Sequence, residues 1–137
     1  MAVVFPRFEH PWIDDSEAPL YILTYPADNE DEELIKRHDE IADWYETVDR
    51  PIAWVVDCTG IQKATATQRK IVSEHTDKIL PYSKRFNMGT GIVITSSWVR
   101  GLLTAIFWLS PPPFPYKIFD TVEHAKAWSR ARLNQTR

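Results

Sequence analysis

The chain has 137 residues, 44% hydrophobic and 26% charged, an ordinary globular composition with room for a single domain over residues 1–137 and one sizeable core. The net charge of −3 and the lack of any nucleic-acid-binding motif give no reason to expect a nucleic-acid partner, and the single cysteine, Cys58, excludes an internal disulfide framework and suits a reducing compartment. Residues 1–15 lack a basic segment followed by a long apolar run, and the most apolar stretch, Trp98 to Leu109, is shorter than a spanning helix and contains Arg100, so a cytoplasmic protein with at most peripheral membrane contact is expected.

In chain order, residues 2–8 ("AVVFPRF") read as an edge strand, with Pro6 excluding a central place. Residues 9–19 carry turn chemistry, and 20–25 ("LYILTY") read as a second strand. Asn29 is expected to cap a helix, with Glu32 completing a capping box and acids in the first turn complementing the helix dipole. Leu34, Ile41, Trp44, Tyr45 and Val48 give that helix its apolar period, and Pro51 closes the unit. Residues 52–57 ("IAWVVD") form a continuous apolar strand of the kind buried on both faces. Thr65 or Thr67 caps the next helix, which runs to about Phe86 with Ile71, His75, Ile79, Tyr82 and Phe86 on its apolar stripe and a kink or break at Pro81.

"MGTG", 88–91, reads as a turn before a strand over 90–95; its G-x-G precedes the strand and lacks a third glycine, so it is not a dinucleotide loop. Ser96 or Ser97 caps a helix over 97–109. A short strand follows at 116–119, then a last helix capped by Asp120 with Glu123, its inner side marked by Ala125, Trp128 and Leu133. The order ββαβαβαβα implies an α/β domain with a mixed sheet: mostly parallel pairing through crossover helices, with an antiparallel pair at its start.

Signatures of chemistry are sparse. The four histidines have no metal-ligand spacing, so no metal and no cofactor are expected, and neither a nucleophile elbow nor a P-loop is present. Asp57 ends a buried strand, where α/β folds place functional groups, although it can equally cap the following turn. Cys58 reads as a small packed thiol, so a catalytic centre of Asp57, Cys58 and His75 is not the favoured reading. His75 lies on an apolar stripe, either as a satisfied core residue or as the polar anchor of a pocket. Residues 1–60 carry 15 acids and 4 bases, and residues 61–137 carry 4 acids and 12 bases. Either the halves face each other or the basic half meets an anionic partner.

The helix 97–109 is apolar on nearly every side, which implies that something other than its own domain covers part of it. Trp98, Leu102, Ile106 and Phe107, with Phe114 of the following "SPPPFP", are the expected contact residues. In one arrangement they line a pocket facing the Ile71–His75–Ile79 stripe. In another they meet an anionic membrane surface, helped by flanking bases, or the twin of a homodimer.

"VVDCTGI" followed by a capped helix resembles the central element of STAS domains, the anti-sigma-factor-antagonist fold. "GIVITSSWVRGLLTAIFWLSP" and "YKIFDTVEHAKAWSRARL" resemble the second half of the small SpoIIAA-like (STAS/SEC14-like) proteins, and the likeness covers roughly residues 18–133. The phosphorylatable serine of regulatory STAS proteins falls on Ala66 here, next to Thr67, so phosphorylation is not expected at 65–67. The resemblance implies a non-catalytic domain that binds an apolar or lipid-like ligand or associates peripherally with membrane, and the residues themselves put the expected site at His75, Ile79, Trp98, Leu102, Ile106, Phe107, Phe114 and Asp57. The other reading is a dimeric protein-interaction module of the anti-sigma-factor-antagonist type.

Overall fold

The computed structural model describes residues 7–135. Its five-stranded sheet has the order β1-β2-β3-β4-β5, from β1 (Ile13–Asp14), β2 (Leu20–Thr24), β3 (Ile52–Asp57), β4 (Asn87–Val93) and β5 (Tyr116–Phe119). β1 is antiparallel to β2, and the remaining neighbours pair in parallel. The helices are α1 (Asp31–Tyr45), α2 (Ala66–Lys78), α3 (Leu80–Phe86), α4 (Ser97–Leu109) and α5 (Val122–Asn134). The class is α/β with a mixed sheet, and the order is ββαβααβαβα because one expected helix is two.

The strand expected over 2–8 falls mostly on residues 1–6, outside the described residues, and Arg7 and Phe8 are not in a strand. The antiparallel edge is instead Ile13–Asp14, inside the stretch read as a turn. Asp15 explains the difference: its carboxylate accepts from the Phe8 N–H at 2.8 Å and from Arg7 Nε at 2.7 Å, folding residues 7–15 back on themselves. Trp44 of α1 then holds this arm by donating to the Arg7 carbonyl at 3.0 Å.

Three helix starts follow local chemistry, two of them shifted from expectation. α1 is capped at Glu30 without a side-chain bond, so Asn29 does not cap; the Asn29 carbonyl accepts from Gln68 Nε2 at 2.7 Å and ties α1 to α2. Thr65 and Gln68 form a reciprocal capping box on α2. On α5 the cap is Thr121, accepting from the His124 N–H at 3.2 Å, rather than Asp120. Pro81 ends the continuous helix expected to Phe86: α2 stops at Lys78, and the proline enters the first turn of α3, where its missing N–H costs no bond.

The two faces of the sheet are packed differently. Alternation sends Leu20, Ile22, Ala53 and Val55 toward α5 and Tyr21, Leu23, Ile52 and Trp54 toward α1. Gly89, of the G-x-G read as a turn, and Gly91, within the strand expected over 90–95, both lie in β4 facing α5. A Cβ on Gly91 would stand 2.9 Å from Ala125 Cβ, so these glycines let α5 approach closely. Ser129 of α5 bonds across the strands, accepting from the Gly91 N–H at 3.0 Å and donating to the Trp54 carbonyl at 2.8 Å. On the opposite face α2 packs between α1 and α4. Beneath α1 the space is filled by aromatic rings: Trp44 stacks on Phe8 at 4.8 Å, and Trp54 donates to the Tyr45 hydroxyl at 2.8 Å.

The acidic and basic halves do meet. Lys126 of α5 pairs with Glu17 at 2.8 Å, Arg130 pairs with the same carboxylate, and Lys78 of α2 reaches Asp39 of α1 at 3.3 Å.

Candidate functional site

Between the sheet and the α1, α2 and α4 layer lies a cavity of about 200 Å3. Leu23, Val56 and Ile92 form its floor on the sheet, Val72 and Ile79 line it from α2, and Val99, Leu103 and Ile106 line it from α4. The half-buried Arg69, Pro112 and Phe114 and the exposed Lys63 also line it.

Six of the eight residues singled out from the sequence come together here: His75, Ile79, Leu102, Ile106, Phe107 and Phe114. Trp98 does not. It sits on the outer side of α4 at 48% exposure, because the helix turns Val99, its neighbour, inward instead. Asp57 is also outside the cavity: its carboxylate accepts from the backbone N–H of Thr59 at 2.9 Å and from its hydroxyl at 2.7 Å, which caps the turn after β3. The α2 stripe is shifted by a position as well, since Val72 rather than Ile71 faces the cavity.

Most polar side chains deep in the cavity wall are committed to protein partners. Gln68 bonds the Asn29 carbonyl and its own helix cap. Asn87 donates to the Thr90 hydroxyl at 2.8 Å and accepts from the Gly89 N–H at 3.0 Å. Thr76 donates to the Val72 carbonyl at 3.0 Å. α2 is fastened to the end of α4 by the Ser73 and Ser110 hydroxyls, 2.5 Å apart.

A pair of histidines sits against this wall. His38 of α1 has its Nδ1 at 2.8 Å from the Leu34 carbonyl, which must accept, so Nδ1 carries the proton and Nε2 accepts from the Tyr25 hydroxyl at 2.7 Å. Burial pushes His38 down to about 4, and the ring is therefore neutral at pH 7. The His75 ring lies 4.5 Å from that of His38. Burial first, then His38 and Lys78, hold His75 well below the ordinary histidine value. Burial likewise raises the Tyr25 hydroxyl above its ordinary value and pushes the Cys58 thiol, which also lines the cavity, up to about 12; Cys58 thus keeps its proton at neutral pH.

Tyr25 and His38 escaped the sequence reading, yet a signal was there. His38 falls four residues after Leu34 and three before Ile41, on the same buried stripe of α1. That is the placement that drew attention to His75 on α2.

Among the described residues no cluster of three or more histidine, cysteine or carboxylate side chains could hold a metal ion, and no helix is long and apolar enough to cross a membrane. No family model, curated protein or solved structure matches the chain.

Proposed function

We propose that this is a non-catalytic domain of the STAS/SEC14-like kind that binds a small apolar ligand between α2 and α4. The observation that carries the reading is the cavity itself: about 200 Å3, walled mostly by aliphatic and aromatic side chains. An apolar cavity of roughly 150 Å3 holds benzene, and drug-sized pockets run to roughly 300–1,000 Å3, so the fitting ligand has one or two rings or a short chain and is smaller than a two-chain lipid. The STAS-like part of the reading is supported by the crossover helices and by the mixed sheet with one antiparallel edge.

The test is native mass spectrometry on protein from its own cell, with naphthalene titration beside it. Wild type should retain or take up an apolar molecule, and Val72→Trp, which fills the cavity from α2, should not. Equal uptake by both, or none by wild type, would overturn the reading.

A second reading rests on the outer side of α4. Trp98, Trp108 and Leu109 are 48%, 85% and 67% exposed, and Gly101 and Ala105 between them leave a shallow strip. Under this reading the strip meets its twin in an isologous homodimer, and Trp108→Asp shifts the dimer toward monomer by placing a charge in the interface. A wild-type monomer at high micromolar concentration in sedimentation would end it, and flotation of that monomer with anionic but not neutral vesicles would assign the strip to a membrane surface instead.

A further inference from the structure

We infer that His75 selects the ligand: the cavity takes an uncharged apolar molecule that carries one hydroxyl group, hydrogen-bonded to the His75 ring. This deepens the proposed binding function and rests on it.

Among the described residues, the His75 ring makes no hydrogen bond to protein, and no fully buried side-chain nitrogen or oxygen lacks a partner. Both statements hold only if the ring nitrogens open on accessible space. His75 lines the cavity, packed on its other side by His38. The contrast with His38 is informative. That ring spends both nitrogens, one on the Leu34 carbonyl and one on the Tyr25 hydroxyl, and so has nothing left to offer a ligand. His75 offers both of its nitrogens.

The chemistry of the partner follows from the protonation of the ring. Burial, the neighbouring His38 and the Lys78 ammonium all disfavour an imidazolium, so His75 presents one N–H and one bare nitrogen. A hydroxyl serves either nitrogen, since it can both donate and accept. A carboxylate could only accept, and burying its charge beside a neutral ring costs more desolvation than one N–H bond returns, while Lys63 is exposed and Arg69 only half-buried. A pure hydrocarbon would strip water from the ring nitrogens and return no hydrogen bond.

The experiment compares naphthalene, 2-naphthol and 2-naphthoate by titration calorimetry on the full chain. Wild type should prefer 2-naphthol over naphthalene by about tenfold, the order expected of one buried hydrogen bond, and should bind 2-naphthoate more weakly than 2-naphthol. In His75→Leu, which keeps the bulk and removes both nitrogens, the preference for 2-naphthol should fall to near one. Should that variant fail to fold, imidazole nitrogen NMR on wild type gives the same answer: 2-naphthol shifts the His75 resonances and leaves those of His38 in place, and naphthalene does not move His75 comparably. Binding of naphthalene and 2-naphthol without discrimination, an unchanged preference in His75→Leu, tighter binding of 2-naphthoate, or no selective shift at His75 would each overturn this inference while leaving the cavity as a binding site. No binding of any of the three by wild type would overturn both.

Discussion

Acid should destabilise this protein well before its carboxylates titrate, and His38 supplies a magnitude. The folded chain holds His38 down to about 4 against an ordinary value of 6.5, chiefly because its ring is buried. The sign follows directly: below pH 6.5 the unfolded chain binds a proton that the folded chain refuses, so stability is complete above that pH and is lost as pH falls toward 4. At pH 5 the unfolded histidine is almost fully protonated and the folded one hardly at all, a difference of about 2 kcal/mol from this residue alone at 1.36 kcal/mol per pH unit. His75 and His10 are also lowered by burial and act in the same direction. The acids with shifted values, Asp14, Asp15, Glu17 and Asp49, are all held below the ordinary carboxylate range by their hydrogen-bond partners, so their contribution is lost only at more acid pH. Against a typical total of roughly 5–15 kcal/mol the histidine effect is large. Urea unfolding at pH 7.5, 6.5, 5.5 and 5.0 should show the midpoint falling throughout this range, with a shallower fall in His38→Gln. A midpoint that stays constant from pH 7.5 to 5.0 would refute the argument that these rings are held neutral by burial.

Two further perturbations probe the α5 side of the sheet. Gly91→Ala should destabilise by about 1–3 kcal/mol, because the new methyl meets the backbone of Ala125, which cannot swing aside; an unchanged thermal midpoint would show that α5 can retreat. Ser129→Ala should cost about 1–3 kcal/mol by leaving the Gly91 N–H and the Trp54 carbonyl without their bridging hydroxyl, and hydrogen exchange at the Gly91 amide should accelerate. A loss confined to the melting point, with the Gly91 amide still protected, would mean that the strands bond each other once the hydroxyl is gone.

The parts of the fold written in local chemistry were legible. The strands at 52–57 and 116–119 and the helix over 97–109 agree with the structure because each combines a clear apolar run with a cap or a proline stop. The parts set by tertiary contact were not. Ile13–Asp14 pairs with β2 because Asp15 draws Arg7 and Phe8 back, a bond that no periodicity records. Gly89 looks like a turn residue in a single sequence, and only the close approach of α5 explains why the strand starts before it. The cavity is partly legible: the period of α4 gives its stripes, but which stripe faces inward depends on where α2 stands, and Trp98 lies outside the cavity on the exposed side. Asp57 was ambiguous for a plainer reason, since a carboxylate at the end of a strand serves equally well to cap a turn or to meet a substrate, and here Thr59 takes it.

The cavity follows from how side-chain volume is distributed over one face of the sheet. Beneath α1, the rings of Tyr21, Trp44, Tyr45 and Trp54 fill the space between helix and strands. Beneath α2 the lining includes Thr90 and Ile92 from β4 and Val72, His75, Thr76 and Ile79 from the helix, and these leave a cavity of about 200 Å3. α2 is held at two points, at its start by Gln68 to the Asn29 carbonyl and at its middle by Ser73 to Ser110, and these bonds oppose its collapse onto the sheet. Interiors normally close-pack, and a void lined by apolar side chains forfeits dispersion contacts on every wall. A helix tied at two points above a gap lined by a histidine without a protein hydrogen bond is the arrangement that the proposed ligand would complete.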